Sequence, residues 1–284
     1  MTDGLLAGKV ALVTGAGSNP GMGRIMALAM IRAGAKVAMT DVNKEALERS
    51  VNDAREIGGD DAAIAIVADV SKPGDAENSV KEAVDRLGGL HVLVNNAGIS
   101  LNWLDPRANR KPNFWDLSPE VWTRMISINL TGAFLMSRAA VPHLLEQGWG
   151  RMISVTTSLD TMIRSHGAPY GPSKAGHEAL AATMAQELDG TGVTVNVLVP
   201  GGTTDTNIIP FLPETDRTDF IDPQVMAAPS VWLASEASNA INGMRFRAID
   251  WDENLPIEER LAKATGPTAW PQLGRPKGQG SRPA

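Results

Sequence analysis

Residues 13–24 read VTGAGSNPGMGR, and three of their glycines, Gly15, Gly21 and Gly23, stand where an apolar run gives way to an amphipathic one. Glycine there lets the chain turn tightly and lets its backbone approach a pyrophosphate, which the first N–H groups of the following helix then hold. With Ser18, Asn19 and Met22 these glycines form a candidate phosphate site. A tight strand-to-helix turn without ligand is the bland alternative. Outward from this stretch, short β-branched apolar runs recur: KVALVTG, AKVAMTD, AAIAIVAD, LHVLVNNAG, GRMISVTT, VTVNVLVPGG and GMRFRAID. Such runs are buried parallel strands, and the amphipathic stretches between them are crossover helices. The pattern predicts an α/β fold of Rossmann-like type, a doubly wound parallel sheet whose ligands bind beyond the carboxyl ends of its strands. Residues 1–250 are expected to form one dinucleotide-binding and catalytic domain. Residues 251–284 leave the rhythm, turn Pro/Gly-rich, and read as an extension packed on a surface with a frayed tip.

The second run ends at Asp41, about 20 residues beyond the glycine turn, where an acidic side chain accepts the adenosine ribose hydroxyls and repels a 2'-phosphate. Asp41, with Val42 beside it, therefore favours NAD over NADP, although Asp41 could instead cap the helix starting at Asn43. Composition narrows the partner. A net charge of -6 over 284 residues lacks the positive field that nucleic acid or an anionic membrane demands, so a small-molecule partner is expected. No cysteine is present, which removes disulfides and thiolate chemistry and suits a reducing cytoplasm. The start MTDGLLAGKVALVTG carries neither a basic leader nor a long hydrophobic region, and no segment reaches the roughly 20 apolar residues of a membrane span. The four histidines, His91, His143, His166 and His177, are scattered, so no metal role is expected.

The single tyrosine, Tyr170, precedes Lys174 by four residues in APYGPSKAG. Residues i and i+4 share a helix face, so both converge if a helix begins near 168 and runs to 188, with Pro172 in its first turn. A phenol near pKa 10 is a poor base at neutral pH, and a neighbouring ammonium and a cationic nicotinamide favour its anion and lower that value. Lys174 is expected to supply that ammonium. Tyr170 would then exchange a proton with an alcohol or ketone while a hydride passes to or from a nicotinamide.

The chain resembles the short-chain dehydrogenase/reductase family over about residues 8 to 249. The resemblance is carried by Thr14-Gly15 with Gly21-x-Gly23, Asp69-Val70, Asn95-Asn96-Ala97-Gly98, Asn129, Tyr170-x-x-x-Lys174 and Pro200-Gly201. It implies that Asp69, with Val70 beside it, meets the adenine, that Asn95 and its neighbours stabilise the central strand beside the cofactor, with Asn96, Ala97 and Gly98 binding it, and that Pro200, Gly201 and Thr203 hold the nicotinamide end. Asn129 is implied to kink a helix and support a proton relay from Lys174. A homotetramer or homodimer, built across helices at about 119–147 and 170–189, is implied as well.

Three departures stand out. The family's serine, 13 residues before the tyrosine, is here Thr157, with Ser158 next to it; a threonine hydroxyl donates the same bond, and a local irregularity would present Ser158 instead. The phosphate turn has two extra residues, Asn19-Pro20, expected to bulge over the pyrophosphate. The segment after Pro200-Gly201 is about ten residues short, so the pocket needs another cover, from the loop at 99–119 or from the extension with Trp251 and Trp270. Arg164 and His166 near Tyr170 are weak substrate candidates, and Arg107, Arg110 and Lys111 hint at an acidic substrate or a solvated loop face. Three readings remain open here: an NAD-dependent alcohol/ketone oxidoreductase, an NAD-retaining lyase or epimerase, and a non-catalytic dinucleotide sensor.

Overall fold

The computed structural model describes residues 4–105, 111–209 and 216–270. Arg107 and Arg110 and the tip at 271–284 lie outside them. In chain order the first half contains β1 (Val10–Thr14), α1 (Met22–Arg32), β2 (Lys36–Asp41), α2 (Lys44–Gly58), β3 (Ala63–Val67), α3 (Pro73–Leu87) and β4 (Val92–Asn95). The second half contains α4 (Pro119–Ile126), α5 (Gly132–Glu146), β5 (Gly150–Val155), α6 (Leu159–Ile163), α7 (Tyr170–Glu187), β6 (Val193–Val199), α8 (Ala227–Ala234), β7 (Met244–Arg247), α9 (Ile257–Ala264) and β8 (Thr265–Pro267). The strands form one sheet in the order β3-β2-β1-β4-β5-β6-β7-β8, parallel except for the β7–β8 pair. This is the expected α/β sheet, and its strand order reverses between β1 and β4, where ligands bind in such folds.

Alternation along the strands divides the core. Ala11, Val13, Val37 and Met39 face α1, α2 and α8, whereas Leu12 and Ala38, one residue out of step, face the side of α3, α5 and α7. The helices start and stop where the sequence supplies the chemistry. Asn43 caps α2 by accepting from the Ala46 N–H at 3.0 Å, and Ser118 accepts from the Val121 N–H at 3.3 Å just before Pro119 opens α4.

One region follows the expected kink at Asn129, and another departs from the sequence reading. The stretch at 119–147 is two α-helices joined by a π-helical segment, Ser127–Thr131, with Asn129 at its centre; such bulges kink a helix and cluster at functional sites. The C-terminal segment does more than pack on a surface. β8 pairs antiparallel with β7, Phe246 opposite Thr265, and covers what would be an open sheet edge. Trp251 is buried against Trp232 and Phe246, with ring centroids 5.2 Å and 6.0 Å away, and so belongs to the core on the α8 side.

Candidate active site

The ends of β1 and β4 are fastened together by side chains. Thr14 donates through its hydroxyl to the Val94 carbonyl at 3.2 Å and accepts from the N–H groups of Asn96 and Ala97, each at 3.0 Å. The Asn96 amide donates to the carbonyls of Thr14 and Gly15 at 2.8 and 3.1 Å. Gly15 has φ +65°, and a Cβ there would lie 2.9 Å from the Ala97 Cα. A Cβ on Gly21 would meet the Ser18 carbonyl at 2.4 Å, and one on Gly23 the Gly15 carbonyl at 2.4 Å. This crowding explains why the positions carry no side chain. Among the described residues no side chain caps the start of α1, and its first turn holds no acid. Its leading N–H groups, with the helix dipole behind them, therefore suit an anion. Met22 opens the helix and packs toward the core. These features fit the pyrophosphate of a dinucleotide.

Around this cradle lie the other predicted cofactor residues. Asp41 accepts from the N–H groups of Gly17 and Asn43 at 3.0 Å each, while the side-chain cap of α2 is Asn43. Val42 is exposed. Asp69 accepts from the N–H and hydroxyl of Ser71 at 3.0 and 2.6 Å and pairs with Arg124 at 3.1 Å. Burial pushes the Asp69 pKa up, but the Ser71 and Arg124 hydrogen bonds outweigh it and hold the carboxyl below its usual range. Val70 packs against Gly132 at the end of the π segment. Gly201, φ +111°, lies against Ile249, and the Pro200 carbonyl accepts from the Ile249 N–H at 3.0 Å. Thr203 accepts at its carbonyl from the Ile221 N–H at 2.8 Å.

The inserted turn is gripped from across the sheet. Asn207 donates from its amide to the Ser18 hydroxyl at 3.1 Å and the Asn19 carbonyl at 3.0 Å, and its N–H reaches the Pro20 carbonyl at 3.2 Å. The short segment after Pro200-Gly201 is itself pinned: the Ser100 hydroxyl donates to the Ile208 carbonyl at 2.6 Å, and Arg217 donates to Asp205 at 2.7 Å and to the Thr206 carbonyl at 3.2 Å. Nothing in the local sequence marks Asn207, since its partners lie 188 and 189 residues away.

The second half of the site gathers on α7. The Thr157 side chain lies near enough to the Tyr170 phenol to favour its anion. Ser158 instead caps α6, accepting from the Thr161 N–H at 3.4 Å and lying 2.7 Å from the Thr161 hydroxyl. Of the two candidate hydroxyls, Thr157 is the one beside the tyrosine. Lys174 is 3% exposed and donates to the Val155 carbonyl at 2.9 Å. A Cβ on Gly98 would lie 3.2 Å from the Lys174 ammonium and 3.3 Å from the Asn129 amide oxygen, so the three residues adjoin. Asn129, fully buried, accepts from the Ile99 N–H at 2.9 Å and donates to the Ile99 carbonyl at 3.0 Å and the Ser173 hydroxyl at 3.1 Å.

Burial pushes the Tyr170 phenol up to about 12, and Thr157 only partly offsets this. Burial also pushes Lys174 down to about 8. Desolvation opposes the phenolate in the chain by itself, and the Lys174 ammonium donates to the Val155 carbonyl. Arg164 pairs with Asp160 on the surface, and exposed His166 lies 3.4 Å from the Pro112 carbonyl, so neither is directed at Tyr170. Lys111 is exposed. Trp103, Phe114 and Trp115, in the loop at 99–119, are all more than 60% exposed.

A family model described as short chain dehydrogenase matches residues 9–216. The 2,5-dichloro-2,5-cyclohexadiene-1,4-diol dehydrogenase LinX of Sphingobium indicum is 34% identical over 247 residues, covering 84% of this chain and 94% of that protein. NADPH-dependent aldehyde reductase 2 of Arabidopsis thaliana, a chloroplastic protein, is 34% identical over 263 residues, covering 86% and 93%. A solved dehydrogenase/reductase from Sinorhizobium meliloti superposes with a TM-score of 0.74 at 30% identity, covering 85% of this chain and 94% of that one. The chain belongs to the short-chain dehydrogenase/reductase family. It is accordingly an oxidoreductase of a family that binds a nicotinamide dinucleotide and acts on small molecules. Among the described residues no helix is long and apolar enough to cross a membrane.

Proposed function

We propose that the protein interconverts a secondary alcohol and a ketone with NAD(H). The observation that carries this reading is the placement of Thr157 beside the Tyr170 phenol at the carboxyl edge of the sheet, with buried Lys174 one turn further along α7. Bound in the cradle, the dinucleotide supplies the hydride acceptor or donor. The chain's own residues handle the proton. In the oxidation direction Thr157 holds the substrate oxygen, and the Tyr170 phenolate takes the hydroxyl proton as the carbinol carbon gives up its hydride; in reduction the phenol returns the proton. Lys174 and Asn129, adjoining through Gly98, carry the proton onward from the phenol. Gly15, Gly21, Gly23 and the open start of α1 hold the pyrophosphate, and Pro200, Gly201 and Thr203 the nicotinamide end.

NAD is the proposed cofactor because the Asp41 carboxylate ends β2 and opposes a 2'-phosphate, although a relative is named for NADPH. Cytoplasmic placement and a homo-oligomer complete the proposal, the latter supported by Trp122 on α4 and Phe134 on α5, both more than 40% exposed. The test is NADH and NADPH formation, run side by side across aromatic, alicyclic and sugar-derived secondary alcohols, for wild type and Asp41→Ala. Turnover with NAD on one substrate class and relaxed discrimination in the variant are expected. Tight NAD binding with no net hydride transfer to any substrate would overturn the proposal.

A further inference from the structure

Helix α7 carries a third ionisable residue on the face of Tyr170 and Lys174. Glu178 stands one turn past Lys174 and is 0% exposed. Burying a carboxylate this deeply costs several kcal/mol unless its oxygens are satisfied. Here both are. Oε2 accepts from the Thr156 hydroxyl at 2.9 Å and from the Arg245 guanidinium, and Oε1 accepts from the Ala269 N–H at 3.2 Å.

Arg245, 8% exposed, extends from β7 and donates through Nη2 to the Thr157 carbonyl at 2.5 Å. It sits opposite Gly266 of β8, and the chain then bends so that Ala269, at φ +59°, turns its N–H onto Glu178. A left-handed conformation is costly for a non-glycine residue, so this contact is held by its surroundings. Thr157 is thereby held at its carbonyl by Arg245, with its side chain beside the Tyr170 phenol. An apolar pair in this place would stabilise the fold about as well as a buried ion pair. What an apolar pair lacks is the planar guanidinium fork, which donates in two fixed directions at once.

We propose that Glu178 and Arg245 are positioning residues for the reaction: their ion pair, closed from water by residues 265–269, holds the Thr157 peptide so that its hydroxyl stays beside Tyr170. The proposal rests on the reading of Thr157 and Tyr170 given above.

The test is the double variant Glu178→Gln/Arg245→Met, which leaves no unpaired charge and keeps an acceptor at position 178. Its melting temperature and NAD affinity should stay near wild type while kcat falls about tenfold or more, since a small misplacement of a reacting group is enough for that. The ascending limb of its oxidation pH profile should move to higher pH, because Thr157 opposes the upward shift of Tyr170. Should this variant fold poorly, Arg245→Lys serves instead: it keeps a charge on Glu178 but cannot fork to Thr157, and the same losses are expected. Thr157→Val, run alongside, separates the two readings and should lose about a hundredfold in kcat. Wild-type turnover in Thr157→Val would overturn the reading of the site, and the pair's role with it. Loss in Thr157→Val, with kcat within twofold and an unmoved pH profile in the pair variants, would overturn the positioning role alone.

Discussion

The cofactor cradle and the α7 half of the site are built by opposite means. The cradle is made of missing side chains: Gly15, Gly21 and Gly23 let backbone meet backbone at distances no Cβ permits, and Asn96 and Thr14 fasten two neighbouring strands. The α7 half is made of polar side chains drawn from far apart in sequence: Glu178, Arg245 and the Thr157 carbonyl form a network that Ala269 closes, beside Tyr170 and buried Lys174. A cradle of backbone holds its shape once the strand and helix are formed. A network of buried charges and hydroxyls holds only when every partner is present. On the proposed reading the first design governs binding and the second chemistry, and the two should fail separately.

The largest effect expected is from Tyr170→Phe. Losing the proton carrier while keeping the ring should lower turnover about a thousandfold with NAD affinity near wild type; activity within tenfold of wild type would remove Tyr170 from the chemistry and with it the contrast between the halves. Gly23→Ala tests the other side. Its Cβ would lie 2.4 Å from the Gly15 carbonyl and 2.5 Å from the Asn96 amide nitrogen, and overpacking of this kind costs about 1–3 kcal/mol. Titration with dinucleotide should show affinity weakened about tenfold or more, with kcat at saturation little changed; a loss of kcat with intact affinity would mean the halves are coupled.

The smallest effect concerns His177, buried on α7 with both ring nitrogens lacking a hydrogen-bond partner among the described residues. Burial, and secondarily Lys174, push its pKa down to about 3. Below about pH 6.5 the unfolded chain takes up a proton that the folded chain refuses, so stability is lost as pH falls toward 3. In His177→Leu the drop in melting temperature between pH 7 and pH 5 should shrink. An unchanged drop would mean that other groups govern acid stability and that the polar network tolerates charge better than its burial implies.

Legibility in the sequence followed the same division. The strand runs, the glycine turn and the Tyr170–Lys174 spacing are local patterns, and the parallel sheet and the cradle follow from them because backbone sterics and helix periodicity act over a few residues. Asp41 was readable as a polar strand end, but its two backbone partners were not. The choice between Thr157 and Ser158 needed the turn into α6, which takes Ser158 as its cap. The sign of the tyrosine's pKa needed the density of protein around it.

By itself the sequence determined the fold class, the phosphate turn and the pair on α7, since each is set by residues within one or two turns of one another. Only the tertiary structure decided that Asn207 grips the phosphate turn, that Arg245 and Glu178 hold Thr157, and that the C-terminal segment enters the sheet. Those contacts join residues tens to nearly two hundred positions apart. Their energies depend on burial, which exists only once the chain has closed around them.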